Sequence, residues 1–177
     1  MKYNIIFIGN NGVGKSTLIS RYIKNNNNEN PHIKRITIND INIKMRIYEI
    51  SKISEIESIG SEITNNNVIF IMYSVVDKNS YNIIYDFYKI LRKYKPIDII
   101  LLANKIDYPI IHVDNKLGQK LSNKIGADYY EISVKYNYNC NNIIEKTLNK
   151  IIYRNIINES SYLLNTKKKL KRFCCLF

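Results

Sequence analysis

The segment order of this 177-residue chain predicts an α/β fold, a mostly parallel sheet of about six strands with helices on both faces. Three observations carry that reading. Short apolar runs alternate with longer amphipathic stretches, the pattern of strands joined by crossover helices. Val68–Tyr73 and Ile97–Ala103 are almost unbroken apolar runs, as strands covered on both faces require. The length suits one domain with a real core, and a 45% hydrophobic content argues against disorder.

The elements follow in order. Tyr3–Ile8 reads as the first strand, succeeded by a glycine loop and a helix near Ser16–Lys24. Asn25–Pro31 is polar and turn-forming. Ile33–Ile38 and Asn42–Tyr48 alternate apolar and polar residues around Asn39-Asp40, a hairpin turn. Between the two apolar runs, Ser80 can cap a helix from Tyr81 to about Lys93 that stops before Pro96. A helix near Val113–Ile125, a short strand Tyr129–Ile132 and a last helix near Asn141–Ile157 complete the series. The asparagine runs at 25–28 and 65–67 read as loop expansions, and no internal repeat is visible.

With 35 Ile and 26 Asn in the chain, the scarce residue types are the informative ones. Three of the six glycines, Gly9, Gly12 and Gly14, fall within one short stretch. Of three cysteines, Cys140 stands alone while Cys174 and Cys175 lie among the last four residues, which excludes a disulfide framework or zinc spacing and implies a reducing compartment. The first apolar run is too short for a signal peptide, and no stretch reaches about 18 uninterrupted apolar residues. The expectation is a chain that neither enters the secretory route nor spans a membrane. The charge is +12, from 27 basic and 15 acidic residues. Residues 167–172 carry five of those positive charges, leaving +7 elsewhere.

Gly9-Asn10-Asn11-Gly12-Val13-Gly14-Lys15-Ser16 satisfies the pattern G-x-x-x-x-G-K-[ST], directly after a predicted strand and before a predicted helix. Glycines let backbone N–H groups turn inward on a phosphate. Lys15 adds a point charge between the β and γ positions, and Ser16 offers a hydroxyl to Mg²⁺ at the positive end of the helix, with Thr17 following. A second segment, Asn104-Lys105-Ile106-Asp107, ends the strand Ile97–Ala103, at the carboxyl edge where open α/β sheets bind ligands.

Together with the phosphate loop, this segment resembles the N-K-x-D box of the Ras-superfamily GTPases, and the resemblance implies a P-loop NTPase G domain over about residues 2–158. In that family the Asp accepts from two guanine nitrogens, the Lys stem covers the ring and the Asn braces the phosphate loop. Asp107, Lys105 and Asn104 match those roles. Glu131-Ile132-Ser133-Val134-Lys135 resembles the E-x-S-A-K segment, whose backbone N–H meets guanine O6. Val134 replaces the usual Ala, a change a backbone donor tolerates. Tyr73-Ser74-Val75-Val76-Asp77-Lys78-Asn79-Ser80-Tyr81 is similar to the Rab-type Y-D-V-T-D-x-x-S-F stretch. The resemblance thus implies GTP or GDP with Mg²⁺ as ligands.

It breaks in the middle. Where Rab-like chains read W-D-T-A-G-Q-E, this one reads Tyr48-Glu49-Ile50-Ser51-Lys52-Ile53-Ser54. Glu49 keeps an acid that can hold an Mg²⁺-bound water, or it is a plain strand-end carboxylate. Lys52 replaces the glycine whose N–H meets the γ-phosphate, and Ile53 replaces the glutamine that orients the attacking water. Gln119, the only glutamine, lies beyond the N-K-I-D turn. A rival register, Glu57-Ser58-Ile59-Gly60, restores acid-x-x-Gly but shifts the site eight residues from the strand end. No Thr lies between Thr17 and Thr37, and Thr37 falls in a predicted strand. The γ-phosphate-sensing threonine of the family therefore has no match. No Phe, Tyr or Trp lies between Tyr22 and Tyr48 to brace the guanine edge, His32 being the nearest candidate. No catalytic residue is assigned, and weak or absent hydrolysis with a blunted switch is expected.

Lys167-Lys168-Lys169-Leu170-Lys171-Arg172 precedes Phe173-Cys174-Cys175-Leu176-Phe177. The last four residues fit C-a-a-X, with Cys174 as the prenylated residue and terminal Phe favouring geranylgeranyl. One lipid chain binds marginally, so the basic run supplies the second signal against anionic lipid. Residues 159–177 thus read as a basic tail with a prenylation box, and the location as the cytoplasmic face of a membrane. Three function classes stand at this stage. The first is a lipid-anchored, Rab-like GTP-binding protein of vesicle traffic. The second is a non-hydrolysing nucleotide-binding membrane scaffold. The third, a nucleic-acid binder suggested by the charge and 15 Tyr, lacks any recognition signature and is set aside.

Overall fold

The computed structural model describes the chain except residues 25–29, 39–40, 64–66, 95–97 and 175–177; for 38, 41 and 158–174 it describes the backbone alone. The chain divides into two compact units, Met1–Ile143 and Ile144–Phe177. In the first, six strands form one sheet: β1 (Lys2–Ile8), β2 (His32–Ile38), β3 (Ile41–Ile50), β4 (Asn67–Ser74), β5 (Asp98–Asn104) and β6 (Asp128–Glu131). Their order is β2-β3-β1-β4-β5-β6, with β2 antiparallel to β3 and every other pairing parallel. This is the mostly parallel sheet the sequence predicts.

The helices are α1 (Lys15–Ile23), α2 (Ile53–Ser58), α3 (Lys78–Asn82), α4 (Ile84–Leu91), α5 (Asn115–Ile125) and α6 (Cys140–Cys174), with a 3₁₀ turn at Gly60–Glu62. Strand alternation sorts the apolar side chains onto two faces. Ile6, Ile8, Ile69, Ile71, Tyr73, Leu101 and Ala103 face Ile56 of α2, Ile84, Phe87 and Leu91 of α4, and Leu121 and Ile125 of α5. The alternate residues Tyr3, Ile5, Phe7, Met45 and Phe70 are equally buried, and the Phe7 and Phe70 rings stack at 4.9 Å. On that side α1 buries Leu18, Ile19 and Tyr22, and Lys34 of β2 lies over the Tyr22 ring at 3.6 Å.

Several local expectations are corrected. Ser80 does not cap the helix after β4: Asp77 does, its carboxylate accepting from Asn79 N at 3.0 Å, so the helix starts at Lys78 and breaks at Ile83. Buried Ser80 instead accepts from Ser74 N at 3.0 Å and donates to Asp77 O at 2.7 Å, tying the helix start to the strand end. Asp114 likewise caps α5, which begins two residues later than read. Asn67 is no loop expansion but the buried first residue of β4, donating to Glu62 O at 2.9 Å. Residues 25–28, 65–66 and the Asn39-Asp40 turn lie outside the described residues. The last helix runs on to Cys174 rather than ending near Ile157, because no glycine or proline follows Gly126 to stop it.

Candidate nucleotide site

The loop between β1 and α1 sits at the carboxyl end of a central strand, and its conformation depends on glycine. Gly12 and Gly14 have φ of 77° and 104°, a region that disfavours side chains. A Cβ on Gly14 would stand 2.4 Å from Asn104 Nδ2, and one on Gly9 would stand 2.2 Å from Met72 O. The loop is therefore pressed against β4 and β5. Asn11 and Gly12 form its exposed turn, Asn10 precedes them, and Val13 is buried.

Lys15, the first residue of α1, is buried, its ammonium donating to Gly9 O at 2.7 Å and Asn10 O at 2.9 Å. Burial pushes its pKa down, opposed by the charges of Glu49 and Glu55. Ser16 Oγ donates to Glu49 Oε1 at 2.7 Å, and the same oxygen lies 3.8 Å from Lys15 Nζ. Glu49 is carried there by the parallel register of β3 with β1, opposite Phe7. Thr17 is exposed on the next position of α1. A hydroxyl and a carboxylate oxygen at one helix start form a hard donor set that fits Mg²⁺, which takes few protein ligands beside phosphates.

Asn104 joins the loop to the second segment. Its Nδ2 donates to Val13 O at 2.7 Å while its Oδ1 accepts from Val134 N at 3.0 Å, so one buried amide fastens three chain segments. Ser133 Oγ donates to Asp107 Oδ1 at 2.6 Å, fixing that carboxylate. Lys105 adopts φ 69°, the turn that brings Asp107 round to Ser133. Exposed Lys135 lies 5.1 Å from the Tyr136 ring. The structure thus brings together Gly9–Thr17, Glu49, Asn104, Asp107 and 133–134 at one edge of the sheet.

The Ras family profile matches residues 4–153. The chain belongs to the Ras family. It is 25% identical over 155 residues to Ras-like protein family member 11B of Xenopus laevis, covering 76% of this chain and 62% of the relative. The Mus musculus protein of that name is 26% identical over the same shares. Ras-related protein Rab-3A of Homo sapiens is 25% identical over 161 residues, covering 84% of this chain and 73% of the relative. The chain spans 62% of the length of the Ras-like 11B relatives it matches.

The middle of this Ras-family chain departs from expectation in detail. The rival register fails on geometry: Glu57 faces Lys93 at 3.9 Å and Gly60 packs against Tyr94, both away from Lys15. Instead of a loop after Glu49, the chain folds at once into α2. Glu55 Oε2 accepts from Ser51 N at 2.8 Å and from Lys52 N at 3.3 Å. Thr37 lies at the end of the hairpin remote from Glu49, bonded to Asn42 Oδ1 at 3.0 Å. His32 opens β2 opposite Ile47.

Two residues that position the neighbourhood of Glu49 escape sequence reasoning. Asn30 behaves like an extra strand partner of β3: its Nδ2 donates to Glu49 O at 3.0 Å and its Oδ1 accepts from Glu49 N at 3.2 Å, holding the acid in place. Nothing in a run of asparagines marks one of them. Glu55 is equally unmarked: the residue three before it is Lys52 rather than the Ser or Thr of a capping box.

Proposed function

We propose that this Ras-family protein is a lipid-anchored, Rab-like guanine-nucleotide-binding protein of membrane traffic whose intrinsic hydrolysis is weak. Gly9–Thr17 wrap the phosphates, with backbone N–H groups and Lys15 supplying positive charge. Ser16 would hold Mg²⁺ through its hydroxyl, and Glu49 would hold it through a bound water. Bound there, Mg²⁺ neutralises charge on the terminal phosphates. Asp107 accepts from the base, Lys105 covers it, and Ser133, Val134 and Lys135 close its edge. The G domain covers 1–158 and the basic tail 159–177.

The observation that carries the weak-hydrolysis reading is Glu55. Its carboxylate takes the Lys52 N–H, the group at the family's γ-phosphate-sensing position, and Ile53 beside it has no atom that can orient water. Without a contact that differs between di- and triphosphate, nucleotide cannot shift this segment between states. The second reading, a non-hydrolysing scaffold, rests on the same observation taken to its limit. Nucleotide content of the purified chain tests the pocket, with GDP or GTP expected and adenine nucleotide contradicting it. Single-turnover cleavage separates the readings: a rate above background but below about 10⁻⁴ s⁻¹ supports slow hydrolysis, and none supports the scaffold. A rate at or above that of ordinary family members refutes both.

The anchor rests on Cys174-Cys175-Leu176-Phe177 and residues 167–172. Among the described residues no helix is long and apolar enough to cross a membrane. Cys174→Ser should release the protein from the membrane fraction; unchanged fractionation would refute the anchor.

A further inference from the structure

At the opposite edge of the sheet from the nucleotide loop lies an open cleft of about 630 Å³, lined by Met1, Lys2, Arg35, Thr37, Asn42 and Lys44 among others. The strand registers explain its charge. Lys2 of β1 pairs with Lys44 of β3, and Lys44 pairs in turn with Arg35 of β2. Residues directly paired across strands project to the same face, so three cations stand in one row, spaced about 5 Å apart by the strand separation. Like charges in direct register oppose one another. Among the described residues no carboxylate forms an ion pair with any of the three, whereas Arg46 in the next row has Glu62 at 2.9 Å. Thr37 and exposed Asn42 add hydrogen-bonding groups beside them.

We propose that this cleft binds a small polyanion carrying two or more phosphates, each bridging neighbouring members of the Lys2–Lys44–Arg35 row. A row about 10 Å long suits phosphates a few ångströms apart on one small molecule. Concavity favours such a ligand over a flat macromolecular contact. The ligand can be a soluble phosphorylated compound or the phosphorylated headgroup of a lipid, and both present the same chemistry.

The test uses the full chain saturated with GDP, titrated calorimetrically with inositol hexakisphosphate, and in parallel sedimented with phosphatidylcholine vesicles containing phosphatidylinositol bisphosphate. The variant is Arg35→Gln with Lys44→Gln, both side chains being solvent-accessible. The control is Lys116→Gln with Lys120→Gln on α5, which removes the same charge from exposed positions. We expect the cleft variant to bind hexakisphosphate about tenfold or more weakly and the control to bind nearly as wild type. Vesicle binding that falls in step assigns the lipid headgroup, and vesicle binding that does not assigns the soluble ligand. Equal losses in variant and control would reduce the effect to diffuse attraction and overturn the site, as would no loss in either. Hexakisphosphate binding should be unchanged when free GDP is raised further, which separates this site from the nucleotide pocket whatever the fate of the latter.

Discussion

Asn104→Ala removes the one side chain that, among the described residues, hydrogen-bonds both to the phosphate loop and to the segment after β6. Its amide both donates to Val13 O and accepts from Val134 N, and Asn104, Val13 and Val134 are all buried. Truncation strands a carbonyl and an N–H together. Each orphaned buried group costs about 1–3 kcal/mol, so the pair should cost about 2–6 kcal/mol, less whatever water recovers in the space left by the amide. Urea unfolding reads this directly: with a slope of about 2 kcal/mol/M, the midpoint should fall by about 1 M or more. Nucleotide affinity should fall as well, because the Val13 carbonyl is no longer held. Asn104→Asp provides the contrast. It keeps the acceptor for Val134 but turns a carboxylate oxygen toward Val13 O, so it should be at least as damaging to nucleotide binding. A loss under about 0.5 kcal/mol with unchanged affinity would refute the claim that Asn104 is the fastener.

Other expectations follow from the same geometry. Gly14→Ala meets both the positive φ and the 2.4 Å approach to Asn104 Nδ2, so it should cost about 1–3 kcal/mol and reduce nucleotide occupancy; full occupancy in the purified protein would contradict this. Glu55→Ala removes the acceptor at the start of α2 and should cost about 1 kcal/mol in urea unfolding. The variant should also exchange the Ser51 and Lys52 amides faster, and unaltered exchange would show that the carboxylate does not hold them. Burial pushes the Cys140 thiol up to about 11, so the neutral form dominates at pH 8 and the thiolate is about one part in a thousand. Alkylation of Cys140, followed by mass spectrometry, should be slow in the folded chain and accelerate about tenfold per pH unit up to that value. Labelling as fast as in the denatured chain would contradict its burial.

The parts of the fold legible in the sequence are those set by periodicity and by rare residue types. The apolar runs of β4 and β5 announce themselves because both faces are covered, and the glycines of the phosphate loop stand out because only glycine fits there. Helix starts were less legible. Asp77 and Ser80 are both good caps, and only the packing of Ser80 against the end of β4 decides between them. The helix α2 was invisible because six residues carry too little period to register, and it is held both by buried Ile56 and by the Glu55 carboxylate at its start. In the site, the resemblance singled out Gly9–Thr17, Asn104–Asp107 and 133–135, and the structure brings the first to Asn104 and Val134 at one edge of the sheet. The resemblance could not find Asn30, whose role depends on the chain returning beside Glu49.

The central claim is that guanine nucleotide is held while its third phosphate goes unreported, because Glu55 already occupies the amides that would sense it. Hydrogen exchange of the Ser51 and Lys52 amides, compared between the GDP complex and the complex with a non-hydrolysable GTP analogue, addresses this most directly. Equal protection in the two complexes is the predicted result. Marked protection of Lys52 gained only with the triphosphate analogue would contradict the account.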